Sequence, residues 1–323
     1  MHRHSIALAA LAMGIALFVA LPAAAANVKI TPLGSHDGEF CRFDRAMVLE
    51  DPNGTRILYD AGRTVRGAED PRLGKIDAVL LSHVHGDHLG DVHQPSANAG
   101  TCGDPQMSVR DTPNSNSVNI VMAKKALFLL GGEMPAFFAG KIKALGGDAG
   151  LVKTVRFGSS YDVKGVAVAS VPAVHSNGLN AAFIDHESAT ALKESGLTAY
   201  VGPPGGYVVT FTNGLAVYLS GDTGITAEQD LVVRRYYKAG LVVLNIGGTF
   251  TTGPEEGAYV INELVKPTSV IASHANELAT KNGKVLPNTN SERFMKAVKV
   301  PVYLPLSGRT MEFDSKGKCV GGC

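Results

Sequence analysis

Ser82-His83-Val84-His85-Gly86-Asp87-His88-Leu89-Gly90-Asp91 places four side chains able to bind a metal within six positions, in the pattern H-x-H-x-D-H. Directly before it, Ile76-Asp77-Ala78-Val79-Leu80-Leu81 is a dense apolar run that reads as a buried strand. A strand that ends in such a loop brings imidazoles and a carboxylate to the rim of a sheet, where a cation and a substrate both have access. In extended backbone His83 and His85 point the same way. Asp87 and His88 lie beyond the bend at Gly86 and can face a second ion. A single histidine after a strand is ordinarily a hydrogen-bonded structural residue, because a metal site needs several donors at once.

Further donors follow other short apolar segments. His175 comes after Val166–Val171, Asp222 sits within Tyr218–Gly224, and His274 closes Val270–His274. In type and order these residues resemble the metallo-β-lactamase-fold hydrolases, from about residue 28 to about residue 312. The resemblance implies one ion on His83, His85 and His175, a second on Asp87, His88 and His274, and Asp222 bridging the two. It further implies a catalytic role for Asp87, which would accept a hydrogen bond from a hydroxide held between the ions. Asp60, in Leu58–Gly62, would support the metal loop from behind, a turn carboxylate being the equal alternative. Two zinc ions are expected, with manganese or iron as alternatives. The implied fold is α/β, a four-layer αβ/βα sandwich with the metals along the edge between its sheets; the residues by themselves support only mixed α and β. Within the family, Gly221–Gly224 and Gly247–Glu256 are most similar to the ascorbate-phosphate-lactonase-like branch. Asp222 stands where the first class of zinc β-lactamases has a cysteine. Three histidines outside the N-terminal segment remain, His36, His93 and His186. They are expected to be structural, with His36, in the turn Leu33–Gly38, a candidate to border the site on the substrate side.

Residues 1–26 read as a secretory signal peptide: weakly basic His2-Arg3-His4, apolar Ile6 to Leu21, then Pro22 and four alanines. The apolar stretch is shorter than the ~20 residues of a full membrane span, so no membrane anchor is expected. The mature chain, residues 27–323, is expected to be a single hydrolase domain in the periplasm or secreted. Its charge balance excludes one partner class. The whole chain has 30 basic and 29 acidic residues, and Arg3 is the one charged residue within 1–26, so the mature remainder is neutral. A nucleic-acid partner is not expected without a basic excess. In an oxidising compartment Cys41, Cys102, Cys319 and Cys323 allow three pairings, of which Cys41–Cys102 with Cys319–Cys323 is favoured.

Strands are expected at Val28–Thr31, Ala46–Glu50 and Arg56–Tyr59, a hairpin over Tyr207–Leu219 turning at Asn213-Gly214, and a strand over Thr268–Ser273. Apolar spacing predicts helices over 133–146 and 255–266, the second with Glu255 and Glu256 in its first turn and Lys266 in its last. Two long polar connections, 91–117 and 176–206, each leave from a ligand and are expected to overhang the metals. No G-x-S-x-G, Walker loop or dinucleotide fingerprint is present. The expected function is therefore metal-assisted hydrolysis of a small-molecule ester, lactone, amide or phosphoester. The alternatives are a lactone- or β-lactam-directed defence hydrolase and a metal- or ligand-binding protein with little turnover.

Overall fold

The computed structural model describes Met1 and residues 26–323; the signal-peptide reading falls outside the described residues. Six strands begin the fold: β1 (Val28–Pro32), β2 (Met47–Glu50), β3 (Arg56–Tyr59), β4 (Ala78–Leu80), β5 (Leu127–Leu130) and β6 (Val152–Thr154). Seven more form a second sheet: β7 (Ser160–Val163), β8 (Val166–Pro172), β9 (Gly205–Thr210), β10 (Ala216–Leu219), β11 (Leu241–Asn245), β12 (Ser269–Ser273) and β13 (Val302–Tyr303). The chain then returns to the first sheet with β14 (Met311–Phe313) and β15 (Cys319–Gly321). The first sheet runs β6-β5-β4-β3-β2-β1-β14-β15 and the second β7-β8-β9-β10-β11-β12-β13.

Alternation within the strands explains the layering. Val28, Ile30, Met47, Leu49, Ile57, Ala78 and Leu80 face the second sheet, where they meet Val168, Tyr207, Val209, Val217 and Val243 in one core. Their neighbours Val48, Leu58, Val79 and Leu81 point the other way, onto Val118, Phe138 and Ile142 of the helices Asn116–Lys124 and Met134–Ala144. On the far side of the second sheet, Val208, Tyr218, Val242 and Val270 cover Ala258, Ile261 and Phe294. A strand buried on both faces must be apolar at every position, which is why Ala78–Leu81 reads as an unbroken run. The result is the expected four-layer αβ/βα sandwich.

Each sheet joins an antiparallel part to a parallel part. β3, β4, β5 and β6 pair in parallel in the first, and β10, β11, β12 and β13 in the second. Loops at the carboxyl ends of parallel strands form a crevice suited to ligands. Asp60 follows β3, His83 follows β4, Asp222 follows β10 and His274 follows β12. Two tyrosines cross between the sheets just beneath this crevice. The Tyr207 hydroxyl lies 2.8 Å from the Leu81 carbonyl, and the Gly221 N–H donates to the Tyr59 hydroxyl at 2.9 Å.

Several expectations need adjusting. The helix after Gly253 is α-helical over Pro254–Tyr259 and widens to a π-helix over Val260–Val265. Val260, Ile261 and Val265 are buried in this turn, and Leu264 packs at the edge of the same core. The connection 91–117 contains two small hairpins, Val92–His93 with Val109–Arg110 and Gly100–Thr101 with Asp104–Pro105. The segment 176–206 contains the exposed helix His186–Glu194, which starts on His186. Both favoured disulfides, Cys41–Cys102 and Cys319–Cys323, are formed.

Candidate metal centre

The motif loop turns sharply. Gly86–Leu89 makes one helical turn, ended by Gly90 in left-handed backbone, and this swings His88 inward to a buried position. Gly62 allows the turn to close: its N–H donates to the His88 carbonyl at 2.9 Å. A Cβ at Gly62 would lie 2.5 Å from the Asp87 carbonyl. Gly221 is needed for the same reason on the other sheet. With φ +60, it leaves no space for a Cβ, which would sit 2.9 Å from the Ser82 Cβ. Asp60 and His274 adopt left-handed φ values of 40° and 50° without being glycine. Such backbone is uncommon for residues with a side chain and is held by its surroundings. At Asp60 the N–H donates to the Leu80 carbonyl at 3.0 Å.

All seven candidate donors converge. His85 Nδ1 lies 3.0 Å from His83 Nε2 and 3.2 Å from His175 Nε2. Asp222 Oδ1 is 3.3 Å from His88 Nε2, while its Oδ2 is 3.1 Å from His274 Nε2 and 3.8 Å from His83 Nε2. Asp87 Oδ2 is 3.3 Å from His274 Nε2 and 3.7 Å from His88 Nε2. Three donor groups, each within 4.8 Å, follow from this: His83 with His85 and His175, His83 with His88 and Asp222, and Asp87 with His88 and His274. Asp222 stands between the other two sets.

The far sides of the rings are held by the protein. His88 Nδ1 donates to Asp60 Oδ2 at 2.8 Å, and Ser82 gives Asp60 both its N–H and its hydroxyl at 2.8 Å. Since the Ser82 proton goes to Asp60, its oxygen accepts from His83 Nδ1 at 3.0 Å. With Nδ1 committed as the donor, each ring is left with Nε2 as the inward-facing atom that a cation would take. Asn177 joins the two ligand loops, accepting from the Val84 N–H at 2.9 Å two residues beyond His175.

Electrostatics follow from burial and crowding. Burial, and then the neighbouring His88, holds His83 well below the ordinary imidazole range. Burial lowers His85 and His175 too. Burial also opposes charge on His88, but Asp222, Asp87 and Asp60 outweigh it and hold that ring well above the ordinary value. Asp87 and Asp222 are penalised by burial, yet His88 and the other cationic groups around them keep both far below the carboxylate range. A potential negative enough to draw a proton onto His88 also draws a divalent cation.

The donor set fits such ions. Among the described residues, His88 Nε2, Asp222 Oδ1 and both ring nitrogens of His274 are buried without a hydrogen-bond partner. His274 Nε2 approaches two carboxylates but is aligned for a hydrogen bond with neither. Leaving buried polar groups unpaired costs roughly 1–3 kcal/mol each, a penalty that coordination removes.

Two residues that line the site, Arg45 and Phe250, have no local sequence signal that assigns them a role. Arg45, only 3 % exposed, donates to Asp87 Oδ2 at 3.2 Å and to Asn276 Oδ1 at 2.6 Å. Phe250 lines the same cleft. Arg45 and Asp87 are 42 positions apart, and nothing in Arg42-Phe43-Asp44-Arg45 announces a buried arginine. The cleft over the donors holds about 650 Å³. Its walls come from Arg42, Phe43, Arg45 and residues 247–250, with Arg63, Ser176, Asn276 and Asn290.

The long connections do not roof this cleft as expected. None of 91–117 lines it, and 176–206 contributes only Ser176. They shape an adjoining hollow that includes Asp91, Arg110, Thr112, Asn180 and Phe183 and shares His85 and Arg63 with the cleft. The segment 91–117 is fastened beside the cleft: Asp91 binds Arg63 at 2.7 and 2.8 Å, Cys102 is bonded to Cys41, and within the segment His93 binds Asp111 at 2.7 Å. His36 also stays outside the cleft, its ring against Ser35 at 3.1 Å and the Gly100 carbonyl at 3.3 Å.

The profile of the beta-lactamase superfamily domain matches residues 55–275, which include every candidate donor. The chain belongs to the β-lactamase superfamily. Within it, the chain is 31 % identical over 239 residues to a UPF0173 metal-dependent hydrolase of Cupriavidus metallidurans, covering 70 % of this chain and 68 % of that protein. A UPF0173 metal-dependent hydrolase of Polynucleobacter asymbioticus is 27 % identical, covering 82 % of each. Among solved structures, Igni18, a metallo hydrolase from Ignicoccus hospitalis, superposes with a TM-score of 0.58 at 21 % identity, over 89 % of this chain and 99 % of that one. The metallo-β-lactamase fold protein YhfI from Bacillus subtilis gives 0.54 at 12 %, over 89 % and 99 %. These likenesses establish the fold and a metal-dependent hydrolase.

Proposed function

We propose that residues 27–323 form one exported hydrolase domain that binds two divalent ions, zinc by preference, and cleaves a small ester, lactone, amide or phosphoester. One observation carries this reading: buried, unpartnered His88 Nε2, His274 Nε2 and Asp222 Oδ1 meet beside the His83, His85 and His175 cluster. His83, His85 and His175 would hold one ion, Asp87, His88 and His274 the other, and Asp222 both. Bound there, the ions would supply an activated water and a Lewis acid for the carbonyl or phosphoryl oxygen.

The protein's own residues do the rest. Asp87 Oδ2 accepts a hydrogen bond from the attacking water and orients it, and the Arg45 guanidinium keeps that carboxylate ionised and in place. Asp60 fixes the His88 ring through Nδ1. Phe43 and Phe250 give the cleft apolar surface for the uncharged part of a substrate. Export rests on the leader-like residues 1–26, and among the described residues no helix is long and apolar enough to cross a membrane.

Elemental analysis of zinc-replete protein, with hydrolysis assays on lactones, β-lactams, esters and phosphodiesters, tests the reading. Two ions per chain and metal-dependent cleavage of one class are expected; at most one ion, or no cleavage in any class, overturns it. An intact mass retaining Met1 in protein from the native envelope would overturn export.

A further inference from the structure

Three arginines line the cleft, and among the described residues only one of them is unspent. Arg45 is committed to Asp87 and Asn276. Arg63 forms a two-pronged pair with Asp91. Arg42 is exposed, and among the described residues its guanidinium has no acidic partner or hydrogen-bond acceptor. The carboxylates that line the cleft are Asp87 and Asp222, both turned to the donor cluster.

Arg42 is nevertheless held in place. Its guanidinium carbon lies 5.4 Å from the centre of the Phe43 ring, and that of Arg63 lies 5.7 Å from the same ring. Cation–π contacts of this kind contribute about 0.5–1 kcal/mol when exposed. The backbone beneath is fastened as well: the Arg42 N–H donates to the Cys102 carbonyl at 3.2 Å, next to the Cys41–Cys102 bond. Buried Asp44 accepts from the N–H groups of Ser35 and Cys41 at 2.9 Å. A merely solvated arginine would not need this mounting, nor would it face a cleft. The same cleft is lined by Phe250, 72 % exposed, which offers an apolar surface.

We propose that Arg42, laid on Phe43, anchors an anionic group of the substrate, a carboxylate or phosphate, while the hydrolysed bond lies at the Asp87 and Asp222 cluster. This rests on the hydrolase reading above and narrows it to small anionic substrates. The guanidinium fork suits both oxyanions, pairing with two oxygens at once. The cleft volume of about 650 Å³ suits a small molecule.

Calorimetric titration of the zinc-loaded protein tests this without turnover. The probes are the dicarboxylates from succinate to pimelate, each beside the monocarboxylate of equal length, with 3-phosphonopropionate beside succinate. At least one two-headed anion should bind tenfold or more tightly than its one-headed partner. Arg42→Gln should remove that advantage and leave the monocarboxylates unchanged, and Arg42→Lys should keep part of it. The phosphonate arm decides which oxyanion is preferred. No advantage at any length, or an advantage that survives Arg42→Gln, overturns the proposal. In parallel, 4-nitrophenyl hydrogen succinate should be cleaved with a higher kcat/KM than its methyl ester, and Arg42→Gln should level the two. Absence of cleavage counts against the hydrolase reading alone, since the binding comparison stands without it.

Discussion

The two donor sets on either side of Asp222 are built differently. His83, His85 and His175 are imidazoles brought together by the ends of β4 and β8, and burial keeps them readily neutral. Asp87, His88 and His274 include a carboxylate, and that carboxylate is braced by Arg45 while His88 is braced by Asp60. One set is placed by strand ends, the other by a charge network reaching across the fold. Nitrogen-only donors favour zinc, whereas a set richer in oxygen tolerates manganese or iron. Two ions bound here should therefore differ in affinity and in exchange with other metals.

The largest effect should come from the residue common to both sets. Asp222→Ala should release both ions and lower activity by more than the ~100-fold upper range for loss of a supporting group, with the circular dichroism of the fold retained. A folded variant that keeps two ions and normal turnover would remove the link between the sets. Next come His175→Ala and His274→Ala. Each should lose one equivalent, and competition with manganese should show that the ion left in His274→Ala is the more zinc-selective. Identical residual selectivity would erase the contrast. Arg45→Gln should weaken the ion on the Asp87 side by about 10–100-fold and spare the other, as read by stepwise chelator titration; equal weakening of both would show that Arg45 acts through the fold instead.

Asp44, on the wall that carries Arg45, should affect the metals least. Burial pushes its carboxyl up to about 6 from an ordinary 3.8, against the pull of the Cys41 and Ser35 N–H groups. A carboxyl raised in the folded state stabilises the fold where it is protonated, so its contribution is full below about pH 4 and fades as pH rises through about 6. Relative to Asp44→Asn, the native chain should lose up to about 3 kcal/mol between pH 4 and pH 7. Urea denaturation of both, with chelator present, measures this; a difference that does not change with pH would show that the carboxyl is not raised.

What could be read in advance follows the same contrast. H-x-H-x-D-H is legible because its members are neighbours in the chain, and His175, Asp222 and His274 because each follows an apolar strand. Arg45 and Phe250 are placed by tertiary packing alone, and a sequence window holds no trace of a partner 42 positions away. The long connections misled because proximity in sequence to a ligand was read as proximity in space. Pairing of His93 with Asp111 inside the segment, and of Asp91 with Arg63, fixes 91–117 beside the cleft and not over it. The π-helical turn at Val260–Val265 was likewise invisible, since one extra residue per turn leaves the apolar composition unchanged.

The paired tyrosines beneath the crevice act as the jaws of a caliper. Tyr207 reaches from the second sheet to the Leu81 carbonyl, Tyr59 from the first to the Gly221 N–H, and each contact ends within two residues of a donor. The gap between His83 and Asp222 is thus gauged by hydroxyls with no part in the chemistry. Phe at both positions would remove a buried polar end from each jaw and let the sheets ride by fractions of an ångström. The fold should tolerate that; the spacing of two ions that share one carboxylate should not.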